Sequence, residues 1–257
     1  MAEYLAAELA DYGVGGVDVL ITATEAEMAD ALRRGRVDIP SETPFLALEL
    51  QEEGVVDILM REWKKGVPEY HSVIVARKDG PVQSLADLAG RRITFEDAGS
   101  TSGYLLPRAA LEDAGLALEE IANPDKPVPA GRVGYRFSGS ESKVVAAVAD
   151  GTAEAGAYSN LDWNDEESTP PEVKAKLRIL YETRPVIRST LMVRRSIPAE
   201  IKERLADVLA HMHESEEGRS AMKKYSKVAK YDRIEGDALR GLEEARRIWL
   251  RVSGRQS

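Results

Sequence analysis

The sequence of 257 residues contains no cysteine, and only three histidines. The lack of cysteine excludes disulfides, zinc–thiolate sites and thiol catalysis. The few histidines leave little support for Ser-His-Asp hydrolysis. His211 and His213 are two residues apart on a predicted helix, so they point to different sides and cannot easily share a metal ion. No metal site, catalytic residue or cofactor is therefore expected.

Long apolar runs and an excess of positive charge are also absent. No segment approaches the ~20 apolar residues that a membrane-spanning helix needs. The net charge is −9, and no basic stripe carries interleaved aromatic residues, so nucleic acid is not an expected partner. The first residues form an amphipathic helix pattern and not a secretory signal, which indicates either a cytosolic protein or a chain whose front part is missing.

What the sequence does contain is typical of a globular protein with one large or two moderate domains, at 43% hydrophobic and 31% charged residues. Helix and strand patterns alternate along it, which predicts α/β architecture with mostly parallel sheets. Strands are predicted at residues 17–22, 37–39, 55–61, 70–77, 92–96, 133–137, 154–158, 177–182 and 190–194. The principal helices are predicted at residues 2–12, 24–34, 44–53, 103–114, 141–150, 171–176, 198–213, 215–226 and 237–251.

One stretch combines glycines and hydroxyl residues at the start of a helix. The predicted strand at 92–96 ends at an acidic pair, and the sequence Gly-Ser-Thr-Ser-Gly follows at residues 99–103. A helix start offers unpaired N–H groups and a positive dipole end, while glycines admit a ligand to the backbone. Ser100, Thr101, Ser102 and Gly103 are thus a candidate cradle for a phosphate-like anion. The alternative is that one hydroxyl merely caps the helix, and the residues alone leave both open.

Several segments resemble the phosphate/phosphite/phosphonate-binding proteins of ABC importers. They are Tyr-His-Ser-Val-Ile-Val-Ala-Arg-Lys-Asp at 70–79, Ser-Leu-Ala-Asp-Leu-Ala-Gly at 84–90, and Phe-Glu-Asp-Ala-Gly-Ser-Thr-Ser-Gly-Tyr-Leu-Leu-Pro at 95–107. Residues 134–139, 155–160, 217–218 and 230–232 agree, so the resemblance covers nearly the whole chain. It implies a type II periplasmic-binding-protein fold, with two α/β lobes joined by two crossing segments around a ligand cleft. Lobe one would be residues 1–75 and 190–257, and lobe two residues 76–189.

The same resemblance implies what the protein does. It would be the solute-binding component of an ABC importer, a periplasmic or extracytoplasmic monomer and not an enzyme. It would capture a small phosphorus oxyanion (phosphonate, phosphite or phosphate) for an ABC permease. One alternative is a ligand sensor that feeds a signalling partner. Another is a serine acyl-transfer enzyme, since Ser140 and Lys143 match a Ser-x-x-Lys motif, but no Lys-Thr-Gly motif follows downstream.

The resemblance also assigns site residues. Ser100, Thr101 and Ser102 match the hydroxyls that hold the phosphonate oxygens, and Tyr70 matches a cleft tyrosine on the first crossing strand. Arg188, on the second crossing segment, is a candidate for gripping an oxyanion bidentately. The alternative for Arg188 is a solvated surface arginine.

Two acidic residues depart from the family's pattern, and a third matches it. Glu141 stands where familiar members carry a histidine, Glu25 where a tyrosine is usual, and Glu154 at a position that is usually acidic. Carboxylates facing the cleft would repel a bare dianion, which indicates a ligand with a cationic group, such as an aminoalkylphosphonate. The alternative is that Glu25 and Glu141 are acidic because the first turn of a helix favours acids.

The resemblance also predicts a difference from the family at the start of the chain. Members of the family normally begin with a signal peptide and a strand of lobe one, and the helix that follows that strand matches residues 2–12 here. The first strand of lobe one is therefore expected to be missing. A gap in the sheet would leave unpaired strand edges.

Overall fold

The computed structural model describes residues 1–121, 123, 126–225 and 227–254. The chain forms two compact units: unit 1 is Met1–Glu69 with Val186–Arg246, and unit 2 is Tyr70–Pro185 with Arg247–Ser257. The chain thus passes between the units after Glu69, after Pro185 and within its last helix. The predicted lobes had only two such crossings and placed the end of the last helix in lobe one.

The helices and strands follow one another along the chain in this order: α1 (Ala2–Glu8), α2 (Glu25–Arg33), β1 (Ser41–Glu42), α3 (Pro44–Glu52), β2 (Val56–Lys64), β3 (Glu69–Tyr70), β4 (Ser72–Arg77), β5 (Arg92–Phe95), a π-helical turn (Thr101–Leu105), α4 (Leu106–Asp113), β6 (Ala117–Glu120), β7 (Arg132–Phe137), α5 (Glu141–Ala149), β8 (Ala155–Ser159), α6 (Asn160–Asn164), α7 (Pro171–Lys174), β9 (Leu177–Glu182), β10 (Val186–Ile187), β11 (Thr190–Arg194), α8 (Ala199–His211), α9 (Glu216–Lys224), β12 (Val228–Arg233) and α10 (Gly236–Val252).

Unit 1 is built on a sheet with the strand order β1-β11-β2-β12. Its pairs are antiparallel, so the prediction of mostly parallel sheets is wrong for this unit. One core lies between the sheet and helices α1, α8 and α9, and includes Leu5, Met60, Leu205 and Met222. The amphipathic pattern of the first residues is explained by this contact, because Leu5 and Leu9 are buried in the core.

The segment at residues 17–22 is irregular, so the strand predicted there is wrong. Its side chains face solvent, with Val19 at 71% and Ile21 at 88% exposed. Residues 37–39 are not a strand either, although the carbonyl of Asp38 accepts a hydrogen bond of 2.8 Å from the N–H of Arg194 on β11. A β-branched pattern yields a strand only where a neighbour supplies the ladder of hydrogen bonds. Among the described residues, no strand is paired with 17–22.

Unit 2 is built on a six-stranded sheet with the order β6-β7-β5-β8-β4-β9. The pairs β6/β7, β7/β5 and β5/β8 are parallel, which confirms the prediction for this part of the sheet, and β4 is antiparallel to both of its neighbours. Strand β4 is covered on both faces: Ile74 packs with Ile93 and Leu111, and Val75 packs with Val144. Burial on both faces explains its continuous apolar sequence.

Candidate ligand-binding site

The carboxyl ends of three parallel strands in unit 2 meet at one edge of the sheet. Phe95 of β5 lies opposite Phe137 of β7, and Thr94 lies opposite Gly156 of β8. A helix begins shortly after each strand: the π-helical turn that continues into α4, then α5, then α6. In parallel α/β sheets, this edge is where ligands bind, and helix starts there favour anions.

The hydroxyl turn after β5 is anchored at Ser100. Its Oγ accepts the N–H of Gly103 at 2.9 Å, so Ser100 caps the helix, as the alternative interpretation of this turn proposes. The π-helical turn follows from the carbonyl of Ser100, which accepts the N–H of Leu105 at 2.9 Å. π-Helical turns of this kind often mark functional sites.

Thr101 and Ser102 are buried within the same turn, at 2% and 5% exposed. The Oγ1 of Thr101 is buried and has no hydrogen-bond partner within the described ranges. A buried unsatisfied hydroxyl costs about 1–3 kcal/mol, so it marks a position where an acceptor is expected.

Aromatic packing holds this turn on the sheet. The Tyr104 ring lies edge-on to Phe95 at a centroid distance of 5.1 Å and to Phe137 at 4.9 Å. Its hydroxyl donates to the Tyr135 hydroxyl at 3.3 Å. Contacts of this geometry add about 0.5–1.5 kcal/mol each to the area that they bury. They fix the position of Thr101, three residues before Tyr104.

Gly103 is required by its close neighbours, and its contact with a ligand stays a prediction. A Cβ there would lie 2.7 Å from the Cβ of Glu96 and 2.8 Å from the Oγ of Ser100. The glycine therefore makes room for Glu96, whose side chain lies against the turn. Burial raises the pKa of Glu96, a hydrogen bond from Ser100 opposes the shift, and the charges of Asp97 and Asp162 add to it.

Glu141, the first residue of α5, is brought to the same edge. Its Oε1 accepts the N–H of Ser159 at 3.0 Å. Burial raises its pKa to about 9, and the Asp162 side chain adds to the shift by a hydrogen bond and by its charge. The charge of Glu96 acts in the same direction. The edge thus collects three carboxyl groups beside a turn rich in hydroxyls.

Tyr70 is the last residue of β3, two residues before β4 begins near this edge. Ser72 lies opposite Ser159 in the antiparallel pair of β4 and β8. The N–H of His71 donates to Oδ1 of Asn160 at 3.0 Å, and the N–H of Asn160 donates back to the carbonyl of His71 at 2.9 Å. Tyr70 precedes this exchange and is 8% exposed. Its contact with a ligand stays a prediction.

Contacts with other protein groups are described for two further predicted site residues, Glu154 and Arg188. Glu154 precedes β8, and its Oε2 accepts the N–H of Arg92 at 3.1 Å, at the opposite edge of the sheet. The five-residue strand β8 places it ~13 Å or more from Ser159, so the structure does not bring it together with Ser100 and Glu141. Arg188 belongs to unit 1, where its Nη1 donates to the carbonyl of Lys64 at 2.5 Å. The side chain of Glu25 lies outside the described residues.

The motif that suggested an acyl-transfer enzyme has a structural explanation. Ser140 caps α5, because its Oγ accepts the backbone N–H of Lys143 at 3.4 Å. It also lies 3.1 Å from the Oγ of Ser142. The Ser-x-x-Lys spacing at this position is that of an ordinary N-cap.

Two residues of the site were not predicted, Glu96 and Asp162. Each follows a parallel strand directly or within a few residues, as Ser100 and Glu141 do. That placement was the available signal, since side chains after neighbouring parallel strands collect at one edge. Asp162 lies in α6. Its helix α6 has only five residues and is too short to show a periodic pattern.

No group of three or more histidine, aspartate or glutamate side chains is arranged to bind a metal ion in the described part of the chain. No described helix combines the length and apolar character needed to span a membrane.

Residues 1–239 match the family described as "ABC transporter, phosphonate, periplasmic substrate-binding protein". The chain is 27% identical over 149 residues to the phosphate-import protein PhnD of Mycolicibacterium smegmatis, a match that covers 54% of this chain and 44% of that protein. The match to this curated relative thus spans less than half of the relative's length.

Two solved structures are similar over most of their length. XAC2383 from Xanthomonas citri, bound to ATP, is 31% identical, with a TM-score of 0.91 and coverage of 100% of this chain and 93% of that one. PhnD1 from Prochlorococcus marinus, in complex with methylphosphonate, is 16% identical, with a TM-score of 0.66 and coverage of 99% and 92%. These likenesses confirm the predicted type II periplasmic-binding-protein fold.

Proposed function

The chain belongs to the phosphonate family of periplasmic substrate-binding proteins of ABC transporters, and from this premise we propose that it captures a small phosphorus oxyanion on unit 2. The binding surface is the carboxyl edge of β5, β7 and β8. The phosphonate, phosphite or phosphate is held without any bond being made or broken. The loaded protein presents it to an ABC permease outside the cytoplasm.

The observation that carries the proposal is the unpartnered Oγ1 of Thr101, buried at a helix start. A phosphorus oxyanion supplies the acceptor that this hydroxyl lacks, and it is favoured by the helix dipole. Hydrogen bonds to charged groups are worth about 1.5–3 kcal/mol, more than those between neutral groups. The names of relatives support the ligand class, since one binds methylphosphonate and another imports phosphate.

The acidic side chains beside the turn narrow the class of ligand further. Glu96 and Asp162 bring negative charge to the edge, and Glu141 is protonated at neutral pH because its pKa is about 9. A ligand that carries both an oxyanion and an ammonium group places opposite charges against the helix start and the carboxyl groups. An aminoalkylphosphonate fits this arrangement better than a bare dianion.

The first test measures thermal unfolding with candidate ligands. The panel contains 2-aminoethylphosphonate, ethylphosphonate, methylphosphonate, phosphate and ATP, with sulfate as the oxyanion control. A ligand present at 100 times its Kd adds ~2.7 kcal/mol, which raises the Tm by about 5–10 °C. We expect a shift with phosphorus compounds and none with sulfate, and the largest shift with the amine. A Tm that no phosphorus compound moves would refute the proposal.

Thr101→Val tests the site itself. The valine replaces an unsatisfied hydroxyl by a methyl group, so the stability of the ligand-free protein should be unchanged or higher. Binding should weaken about 10–150-fold, because a charge-assisted hydrogen bond is lost. Thr152→Val is the matched control, since Thr152 is exposed and precedes β8 at the opposite edge. Equal Kd values for T101V, T152V and wild type by titration calorimetry would contradict the assignment.

A further inference from the structure

Half of the lysines in the sequence come together in unit 1. Six of the twelve belong either to the end of β2 and the turn after it, or to the segment that runs from the end of α9 into β12. We call these six residues the lysine patch: Lys64, Lys65, Lys223, Lys224, Lys227 and Lys230. A chain with a net charge of −9 thus carries one concentrated positive region.

The pairing of β2 with β12 joins the two segments of the patch. Val228 lies opposite Lys64 in this antiparallel pair, and the N–H of Lys65 donates to the carbonyl of Lys227 at 2.9 Å. Within the described ranges, Lys65 and Lys227 are also the two non-glycine residues with a positive φ, at 53° and 54°. Glycine adopts this conformation at a lower energetic cost than lysine. The shape of the backbone therefore does not explain why both positions carry lysine.

Most of the positive charge of the patch faces solvent without a compensating acid. Neither residues 63–67 nor residues 223–230 contain an aspartate or a glutamate. Four lysines of the patch are exposed and form no ion pair in the described part of the chain, namely Lys65, Lys223, Lys224 and Lys227. The exposed charge of the patch is therefore about four positive charges within two short segments.

The other two lysines are partly compensated by acidic neighbours. The Nζ of Lys230 lies 2.9 Å from the Asp232 carboxylate and 4.4 Å from the centre of the Trp63 ring. Burial raises the pKa of Glu42, and the charge of Lys64 opposes that shift. An interaction surface at this position therefore depends mainly on the four exposed lysines.

The end of a helix offers a local explanation for only part of the patch. Lys223 and Lys224 occupy the last turn of α9, where the helix dipole favours positive side chains. Lys65 and Lys227 lie outside any helix, so the dipole of α9 does not account for them. Their charges point to an anionic partner outside the chain.

The composition of the patch distinguishes between kinds of anionic partner. Protein–protein interfaces are enriched in aromatic side chains and arginine, and they are depleted in lysine. In the described chain, none of the large exposed hydrophobic side chains lies at residues 63–67 or 223–230, and these two segments contain no arginine. Lysine is a flexible, strongly hydrated point charge, which suits a surface of many mobile phosphate groups. An anionic lipid bilayer provides such a surface.

We propose that the lysine patch is a docking surface for an anionic lipid bilayer, to which unit 1 binds reversibly at the level of the lipid phosphates. The acidic remainder of the chain opposes this binding only weakly, because exposed charges more than about 8–10 Å apart are largely screened at physiological salt. No described helix could span the bilayer, so the binding is electrostatic and weakens with salt. The inference does not depend on the ligand of unit 2.

The experiment is co-sedimentation of the full chain with vesicles of phosphatidylcholine that contain about 30% phosphatidylglycerol. Vesicles of phosphatidylcholine alone are the uncharged control. Wild type should bind the anionic vesicles at about 50 mM NaCl, and its affinity should fall about tenfold or more at about 300 mM NaCl. Binding to the uncharged vesicles should be negligible at both salt concentrations.

Two triple variants with the same net charge test the patch itself. The patch variant combines K65Q, K223Q and K227Q. The matched control removes three exposed lysines of unit 2 and combines K78Q, K126Q and K176Q. A lysine close to an anionic surface increases the affinity about fivefold. The patch variant should therefore bind the anionic vesicles about 100-fold more weakly than wild type, and the control within about threefold of wild type.

Several outcomes would overturn the proposal. One is equal affinity of the two triple variants, and another is wild type that stays in solution with anionic vesicles at about 50 mM NaCl. Tighter binding to duplex DNA than to the vesicles, at the same phosphate concentration, would assign the patch to nucleic acid instead. Thermal unfolding shows whether the variants fold. If the patch variant does not, K65Q and K227Q replace it as single variants, each with an expected loss of about fivefold, and no loss in either overturns the proposal.

Discussion

Replacing Gly103 by alanine tests the packing of the hydroxyl turn. The added methyl group would lie 2.7 Å from the Cβ of Glu96 and 2.8 Å from the Oγ of Ser100. Overpacking of this kind costs about 1–3 kcal/mol. Displacing Ser100 costs about 1 kcal/mol more, because its Oγ caps the helix through the Gly103 N–H. The free energy of unfolding should therefore fall by about 2–4 kcal/mol.

The assay is thermal and urea unfolding followed by circular dichroism. The expected loss lowers the Tm by about 4–16 °C for a chain of this size. Gly80→Ala is the matched control in the same unit, because its added methyl would lie 3.4 Å from the Cβ of Arg77, an ordinary contact. We expect G80A to remain within about 0.5 kcal/mol of wild type. If G103A melts at the same temperature as G80A, the account of the turn packed against Glu96 is refuted.

Two other substitutions each test one ionisable residue, Glu141 in unit 2 and Arg61 in unit 1. The pKa of Glu141 rises from an ordinary 4.5 to about 9 on folding, so stability falls as pH rises between these values, by at most about 1.4 kcal/mol per pH unit. E141Q should escape this loss, and urea unfolding at pH 5, 7 and 9 should show its advantage over wild type growing with pH; a constant difference would contradict the sign. In unit 1, Arg61 is 7% exposed and donates to Glu69 at 2.9 Å and to Asp232 at 2.6 Å. Arg61→Met should lower the free energy of unfolding by about 2–3 kcal/mol, which is less than the loss expected for breaking a fully buried pair, because Asp232 is partly exposed. A loss below about 0.5 kcal/mol, as for a surface site, would show that these ion pairs do not stabilise unit 1.

The strongest sequence patterns were reliable guides to local structure. Most of the apolar run at 70–77 became β4, with Tyr70 in β3, and the helix predicted at 103–114 is found as a π-helical turn followed by α4. The helix predicted at 24–34 is found as α2, and its N-cap Thr24 accepts a hydrogen bond of 3.2 Å from the Glu27 N–H. Such signals act between residues close in sequence, so they are readable without the fold.

Other elements depended on partners that a sequence pattern does not contain. Residues 17–22 have the composition of a strand, yet they are irregular and exposed. Strand β12 was missed because lysine, aspartate and arginine interrupt its pattern. It is stabilised by pairing with β2. There, the Asp232 carboxylate accepts hydrogen bonds from the Arg61 guanidinium and, at 2.5 Å, from the Trp63 Nε1–H. The direction of pairing in unit 1 was likewise decided by which strands met.

The candidate site divides in the same way. Its hydroxyl turn was predicted, since glycines and serines at a helix start carry a local signal. Glu154 is not brought together with these residues, because its acidic character reveals nothing about which end of β8 it occupies. Asp162 was missed, because its relation to Glu141 arises only when α5 and α6 begin at the same sheet edge.

The sequence by itself determined the α/β class, the family resemblance and the turn at 99–103, because these are written in local composition and spacing. Only the tertiary structure decided that Ser100 is a cap, that Gly103 makes room for Glu96, and that Thr101 keeps a buried hydroxyl without a partner. It also decided that Glu141 and Asp162, twenty-one positions apart, lie close enough for the charge of Asp162 to raise the pKa of Glu141. The physical reason is that burial and charge, which set pKa values and hydrogen-bonding needs, are properties of the surroundings and not of the residue.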